Sequence, residues 1–429
     1  MQRSAVQEPD SLEGMKLSQH RIGSFVVTEH RWDVPVEHHD PSGPTLSVFA
    51  REVTGADAES PNRPWLVFLQ GGPGFEATRP MGGFGWVERA ARDYRVLLLD
   101  QRGTGRSSPI DAESIVTVGD ADAQASYLRN FRADAIVRDC EFVRTSLGID
   151  RWSVLGQSFG GFCLLHYLST FPDSLREGFF TGGIPPIARP VDDIYRATYE
   201  RMLVRNERFY ERYPSDLDTV RSFLTTLKKS DVRLPSGDRL SVERYQMLGL
   251  MLGMSTGAEE LHYLVERGLD FVALRGIENA QRWDTNPIYQ VLHESSYADG
   301  QRTRWSAQRV RAEFPAFDDP DKPYFTGEHV YPWQLQEWQR LRPFADVAEI
   351  LAEEQWPKLY DAAALARNTV PCAAAVYPDD PYVEYKFTLE TADTLSALRM
   401  WTSDEHDHDA LRVDGVYVLD ELFSLVHGD

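Results

Sequence analysis

One run, residues 151–167, constrains this chain more than any other. It reads as the apolar stretch 152–155, the pentapeptide Gly156-Gln157-Ser158-Phe159-Gly160, and the apolar stretch 162–168 with no turn residue. That order predicts a buried strand, a tight turn and a helix. A serine at the apex of such a turn holds a strained backbone, so the residues two before and two after it must be small enough to let neighbouring backbone pass. Gly156 and Gly160 fill those places. The apex lifts the Ser158 hydroxyl above the strand end and points the Phe159 N–H, at the helix N-terminus, toward a developing oxyanion. Ser158 is thereby the candidate nucleophile. The other reading is a glycine-rich turn with a structural serine, in a chain with 30 glycines. The strand and helix on either side favour catalysis.

Around this segment the pattern is that of a parallel sheet. Residues 65–69 and 95–99 are continuous apolar runs that stop abruptly at glycine-rich loops, as strands buried on both faces do. Residues 133–147 place Ile136, Val137, Cys140, Val143 and Leu147 at helical spacing. Ahead of them, 23–36 and 46–53 alternate as a hairpin joined by a turn at 38–43. Beyond Ile184-Pro185-Pro186 the character changes to long, charged, aromatic-rich amphipathic helices. Strand-like runs resume at 370–377, followed by a helix through 389–398, a short strand at 399–402 and a final helix at 416–426. The expected fold class is α/β, a mostly parallel twisted sheet flanked by helices with an inserted helical cap. The expected division is a mobile tail at 1–18, the first part of the α/β domain at 19–187, the cap at 188–345 and the second part at 346–429.

A length of 429 residues exceeds one simple core and suits a large domain carrying an insertion. A net charge of −21 opposes phosphate backbones and anionic lipid, so neither nucleic acid nor membrane is an expected partner, while cationic small substrates are attracted. Cys140, Cys163 and Cys372 are odd in number and widely spaced, which fits buried free thiols in a reducing compartment. The first residues are polar and acidic, unlike a secretion signal, and no apolar stretch approaches the ~18 residues of a membrane span. A cytoplasmic protein is expected. Its size and aromatic content are compatible with a homo-oligomer.

A nucleophilic serine needs a base, and the base an orienting carboxylate. In hydrolases built on such a sheet these follow the nucleophile in the order acid, histidine, each on a loop after a strand. The strand at 370–377 runs into Pro378-Asp379-Asp380, and the next into Ser403-Asp404-Glu405-His406-Asp407-His408-Asp409. The separation leaves room for one helix and one strand. Counting from Pro371 favours Asp380 over its neighbour Asp379 as the acid, with His408 as the base. A metal site at His406-Asp407-His408 is the alternative, but no second ligand group accompanies it. The second oxyanion donor belongs to the loop after an early strand, where Gln70-Gly71-Gly72-Pro73-Gly74 offers Gly71 or Gly72. A phosphate-cradling loop would need a following Lys-Ser or Lys-Thr, which this one lacks. Asp100-Gln101-Arg102-Gly103-Thr104-Gly105, at the next strand tip, reads as a lock between loops.

Together the segments at 70–74, 100–105 and 156–161, the Asp379-Asp380 pair and the closing His408-Asp409-Ala410-Leu411-Arg412 resemble the proline iminopeptidases, prolyl aminopeptidases of the α/β-hydrolase fold, in their longer large-cap bacterial branch. The resemblance runs from about residue 25 to the C-terminus. It implies release of an N-terminal residue, preferably proline, from small peptides through an acyl-enzyme on Ser158. His408 would act as base and acid, Asp380 would hold its imidazole, Phe159 and Gly71 or Gly72 would form the oxyanion hole, and no metal or organic cofactor would be required. Family members recognise the free amino group with acidic cap residues, and Glu294 and Glu328 match those segments. Their other reading is an ordinary salt bridge among 66 acidic residues. Gln70, Ala410 and His329 depart from the family pattern, where histidine, glycine and methionine are expected. Trp305, Tyr297 and Phe325 could wall a pyrrolidine-sized pocket or be core. Two further readings compete: an esterase acting on a neutral substrate with the same three residues, and a non-catalytic binding protein on a retained fold.

Overall fold

Nine strands hydrogen-bond into one sheet among the described residues of the computed structural model, which are 14–57, 62–81 and 85–428. They are β1 (Met15–Ile22), β2 (Phe25–Pro35), β3 (Thr45–Gly55), β4 (Trp65–Leu69), β5 (Arg95–Asp100), β6 (Trp152–Gln157), β7 (Leu175–Thr181), β8 (Cys372–Val376) and β9 (Leu398–Thr402). Their spatial order is β1-β2-β3-β5-β4-β6-β7-β8-β9. β1, β2 and β3 pair antiparallel, β3 joins β5 antiparallel, and from β5 to β9 every pairing is parallel. The expected hairpin is β2–β3, in register from Phe25 opposite Gly55 to Pro35 opposite Thr45. β1 is an additional strand. Residues 15–18 of the expected tail belong to it, and residues 1–13 lie outside the described residues.

The central strands are apolar on both faces because both faces are covered. Val67, Leu69, Leu97, Leu99 and Val154 point into one core with the helices Ala133–Ser146 and Phe159–Thr170. Leu66, Phe68, Val96, Leu98 and Leu155 point into the other, against Trp86–Ala91 and Gly415–His427. This period-2 division of a continuous apolar run is what a doubly covered strand requires. β8, with Ala373, Ala374 and Ala375 all fully buried, follows the same alternation with small side chains. The expected helix at 389–398 instead spans Tyr385–Ala392, and the chain turns before β9.

Between β7 and β8 the chain is helical, from Val191–Arg212 to Ala362–Ala366, with one isolated bridge, Arg233 to Arg239, among the described residues. The loop after β5 ties the body together from below. Arg102, fully buried, donates to both oxygens of Asp139 and to the carbonyls of Pro35, Val36 and Asn130. Asp100 accepts from the amides of Ala77 and Arg106 and from Arg79. Cys140, Cys163 and Cys372 are free and buried.

The join of β6 to its helix depends on missing side chains. A Cβ on Gly160 would lie 1.9 Å from the Leu69 carbonyl oxygen, one on Gly156 2.4 Å from the Gly160 oxygen, and one on Gly161 2.2 Å from the Gly183 oxygen. Each neighbour is backbone, which cannot rotate away. Gly160→Ala is therefore expected to cost about 1–3 kcal/mol by overpacking, read as a lowered midpoint in urea unfolding. An unchanged midpoint would show that the helix can shift to make room.

Candidate active site

β6 ends at Gln157 and the helix begins at Phe159, so Ser158 makes the turn alone, at φ 52° and ψ −122°. A non-glycine residue in that region is strained and persists only where its surroundings fix it. Here the Ser158 N–H donates to the Thr181 carbonyl at 2.9 Å, and its carbonyl accepts from the Gly161 N–H at 2.7 Å. Phe159 is the first helical residue, so its N–H is one that the helix leaves without an intrahelical acceptor.

Val376 ends β8, and the loop beyond it carries Asp380, which is 2% exposed. One Asp380 oxygen accepts from the amides of Tyr382 at 2.8 Å and Val383 at 3.1 Å, and the other lies 2.7 Å from His408 Nδ1. Three donors thus fix the carboxylate, and it fixes the imidazole with Nε2 as the free nitrogen. The Tyr382 ring meets His408 edge-on at 4.7 Å. Burial lowers the affinity of His408 for a proton, yet the adjoining Asp380 charge and hydrogen bond outweigh it, and its pKa lies above the ordinary 6.5.

Asp379 is elsewhere. Its carboxylate is half-exposed and pairs with Arg208 at 2.7 Å, which holds its pKa below the usual range despite partial burial. The members of the 406–408 cluster also diverge: His406 meets Ser403 and Asp414, and Asp407 meets Arg205. Among the described residues no group of metal-ligating side chains converges.

The helix Val191–Arg212 holds both loops through one row of arginines. Arg201 forks onto Glu384 at 2.8 and 2.9 Å, Arg208 takes the Asp379 carboxylate, and Arg205 donates at 2.8 Å to the Asp379 carbonyl and at 2.5 Å to the Asp407 carboxylate. Asp379 and Asp407 immediately precede Asp380 and His408. Arg205 thereby joins the two loops whose side chains must meet. The spacing of 201, 205 and 208 along one helix face was present in the sequence, but its partners, more than a hundred residues away, were not.

Ser158 and His408 open on one cavity of 690 Å³, together with Gly71, Gly72 and Glu328. The glycine loop crosses closely: a Cβ on Gly71 would lie 2.9 Å from the Ser158 Cβ, whereas one on Gly72, at φ 130°, would meet Phe75. Gly71 is thus the residue pressed against the serine. Gln101 steadies this loop by donating to the Gln70 carbonyl at 2.9 Å.

The two cap glutamates separate. Glu328 lines the cavity, accepts from the Tyr289 hydroxyl at 3.0 Å and lies 3.5 Å from His293 Nε2. Glu294 does not line it. Both Glu294 oxygens accept backbone amides, from Ser306 at 2.9 Å and Ala307 at 2.8 Å, at the start of the helix Ser306–Arg311, and burial raises its pKa against those bonds. Those bonds cap the helix start, and of the two expected amino-group carboxylates Glu328 is the one that lines the cavity. Of the two readings of Trp305, Tyr297 and Phe325, wall or core, the structure supports the second for Tyr297 and Phe325, and Trp305 donates to Glu349. The aromatic residues that line the cavity are Phe68, Phe75, Trp86, Trp283, Tyr289 and Tyr382, with Trp283 stacked on Tyr289 at 4.7 Å. His329 is buried behind Glu328, stacked on Tyr199 at 3.9 Å. It accepts from the Gly327 N–H at Nδ1, and burial pushes its pKa well below the usual value.

A family model described as the alpha/beta hydrolase fold matches residues 64–266. A proline iminopeptidase of Aeromonas sobria is 46% identical over 406 residues, covering 92% of this chain and 95% of that protein. Another, of Aspergillus aculeatus, is 37% identical over 426 residues, 94% of each. Among solved structures, a 2-hydroxy-6-oxo-6-phenylhexa-2,4-dienoate hydrolase from Rhodococcus overlays with a TM-score of 0.44 at 15% identity, covering 94% of this chain and 99% of that one.

The Asp380 charge predicts its own test. His408 should titrate by NMR with a midpoint above 6.5, and Asp380→Asn, which removes the anion and leaves the burial, should lower it. An unmoved midpoint would mean that the pair does not control the imidazole.

Proposed function

The chain belongs to the proline iminopeptidases of the α/β-hydrolase fold, and on that premise we propose that it releases the N-terminal residue, preferably proline, from short peptides through an acyl-enzyme on Ser158. The observation that carries this reading is the shared cavity: a strained serine, a histidine held by a buried aspartate, a close glycine backbone and the Glu328 carboxylate, all at the same space.

In this reading His408 Nε2 takes the Ser158 proton as Oγ attacks the scissile carbonyl, and Asp380 stabilises the imidazolium that forms. The N–H groups of Phe159 and of Gly71 or Gly72 receive the oxyanion, with Gly71 favoured by its contact with Ser158. His408 then passes the proton to the leaving amine. Water, activated by the same imidazole, attacks the ester carbonyl, and the free amino acid departs with Ser158 restored. Acyl transfer by these groups calls on no metal or organic cofactor.

Exopeptidase specificity comes from Glu328. A substrate ammonium taken out of water needs an anion beside it, and Glu328 sits against the aromatic wall that would receive a pyrrolidine ring. The helical segment 188–345 acts as the cap that carries this carboxylate over the serine. The three free thiols fit a cytoplasmic protein.

Proline β-naphthylamide should be cleaved by the wild-type protein and not by Ser158→Ala, and N-acetylation of the substrate should abolish cleavage. Glu328→Gln should raise KM for the free-amine substrate about 10- to 100-fold, the worth of a charged hydrogen bond, whereas Glu294→Gln should act on thermal stability. Ser158-dependent turnover of p-nitrophenyl acetate without amide cleavage would instead make the protein an esterase.

A further inference from the structure

Two guanidinium groups line the cavity among the described residues, and they differ in how they are used. Arg79 is spent: Nη1 reaches both oxygens of the fully buried Asp100, at 2.9 and 3.2 Å, and Nη2 is shared between Asp100 and Glu76. Arg412 is not. Its Nη2 donates to one Asp409 oxygen at 2.7 Å and touches Met254 Sδ at 3.9 Å, while Nη1 and Nε have no partner among the described residues. Its side chain is 71% exposed, whereas Asp409 is 5% exposed.

The position of Arg412 is fixed from below. The other Asp409 bond set is to Ser255, whose N–H and hydroxyl donate at 2.9 and 2.7 Å, and these donors with Arg412 hold the Asp409 pKa down against the cost of burial. Asp409 directly follows His408, and Arg412 lies in the helical turn Ala410–Val413 that comes next. The guanidinium and the imidazole, four residues apart in the chain, thus line the same cavity, with the guanidinium anchored at Nη2 and open at its other donors.

On the proposed reaction, the leaving amine must lie beside His408 to receive its proton, so Arg412 belongs to the leaving-group side. Glu328 would hold the amino-terminal end. We propose that Arg412 forms a subsite for the C-terminal carboxylate of the leaving group, so that this enzyme selects zwitterionic peptides short enough to span from Glu328 to Arg412. An open guanidinium fork suits a carboxylate. In a chain of net charge −21, such a local cation also offsets the long-range repulsion of an anionic peptide end.

This inference rests on the aminopeptidase reading, and the experiment separates the two. The ratio of kcat/KM for prolyl-alanine over prolyl-alanine amide is measured in the wild type, Arg412→Gln and Arg412→Lys, with proline β-naphthylamide as the substrate that reports the reaction itself. The wild type should favour the free acid at least about tenfold, the glutamine variant should bring the ratio to about one, and lysine should restore part of it. The same ratio read as Kd by calorimetry in Ser158→Ala should fall in the same way when Arg412→Gln is added. A wild-type ratio near one, or a ratio that Arg412→Gln does not change, overturns the subsite while cleavage of the naphthylamide leaves the aminopeptidase standing. No cleavage of any prolyl substrate overturns both.

Discussion

The close approach of backbone around Ser158 is the constraint on which the rest depends. Holding a serine at φ 52° requires neighbours that leave no alternative, and the carbonyls of Leu69, Gly160 and Gly183 supply them by occupying the space where side chains would otherwise stand. Those oxygens belong to the end of β4, the helix after Ser158 and the loop after β7, so the turn is locked by its strand neighbours on both sides. The same packing that strains the serine brings Gly71, next to the end of β4, against its Cβ. Strain, the approach of Gly71 and sheet register are one arrangement.

A second constraint runs across the sheet. His408 and Asp380 lie on different loops, and each is preceded by an aspartate held by Arg205 from the inserted helices. The helix of Arg205 also reaches the segment that carries Glu328, with Thr198 Oγ1 3.0 Å from His329 Nε2. In a protein so rich in carboxylates, arginine is suited to this work, since its fork can take a carbonyl and a carboxylate at once.

Much of this was legible in the sequence because it rests on local chemistry. The glycines at 156 and 160, the apolar runs on either side and the order of serine, aspartate and histidine are short-range patterns with steric causes, and the structure brings those residues together. The count from Pro371 favoured Asp380 over Asp379, since strand length fixes where a loop begins to turn, and it is the Asp380 carboxylate that lies against His408. What remained illegible was orientation. Glu294 and Glu328 are alike as letters, but only the fold shows one turned to backbone amides and the other to the cavity. β1 escaped notice because an edge strand with mostly exposed side chains has no buried face to impose alternation. The aromatic wall likewise draws on segments far apart in the chain, from Phe68 to Tyr382, and an aromatic residue carries no mark that distinguishes lining from core.

The most direct measurement is to treat the protein with a prolyl phosphonate diphenyl ester bearing a free amine, and with its N-acetyl counterpart, and to locate the adduct by peptide mass mapping. The account predicts a single phosphonyl adduct on Ser158 that forms rapidly with the free amine and slowly with the acetylated compound. An adduct on another residue, or equal rates for the two compounds, would contradict it.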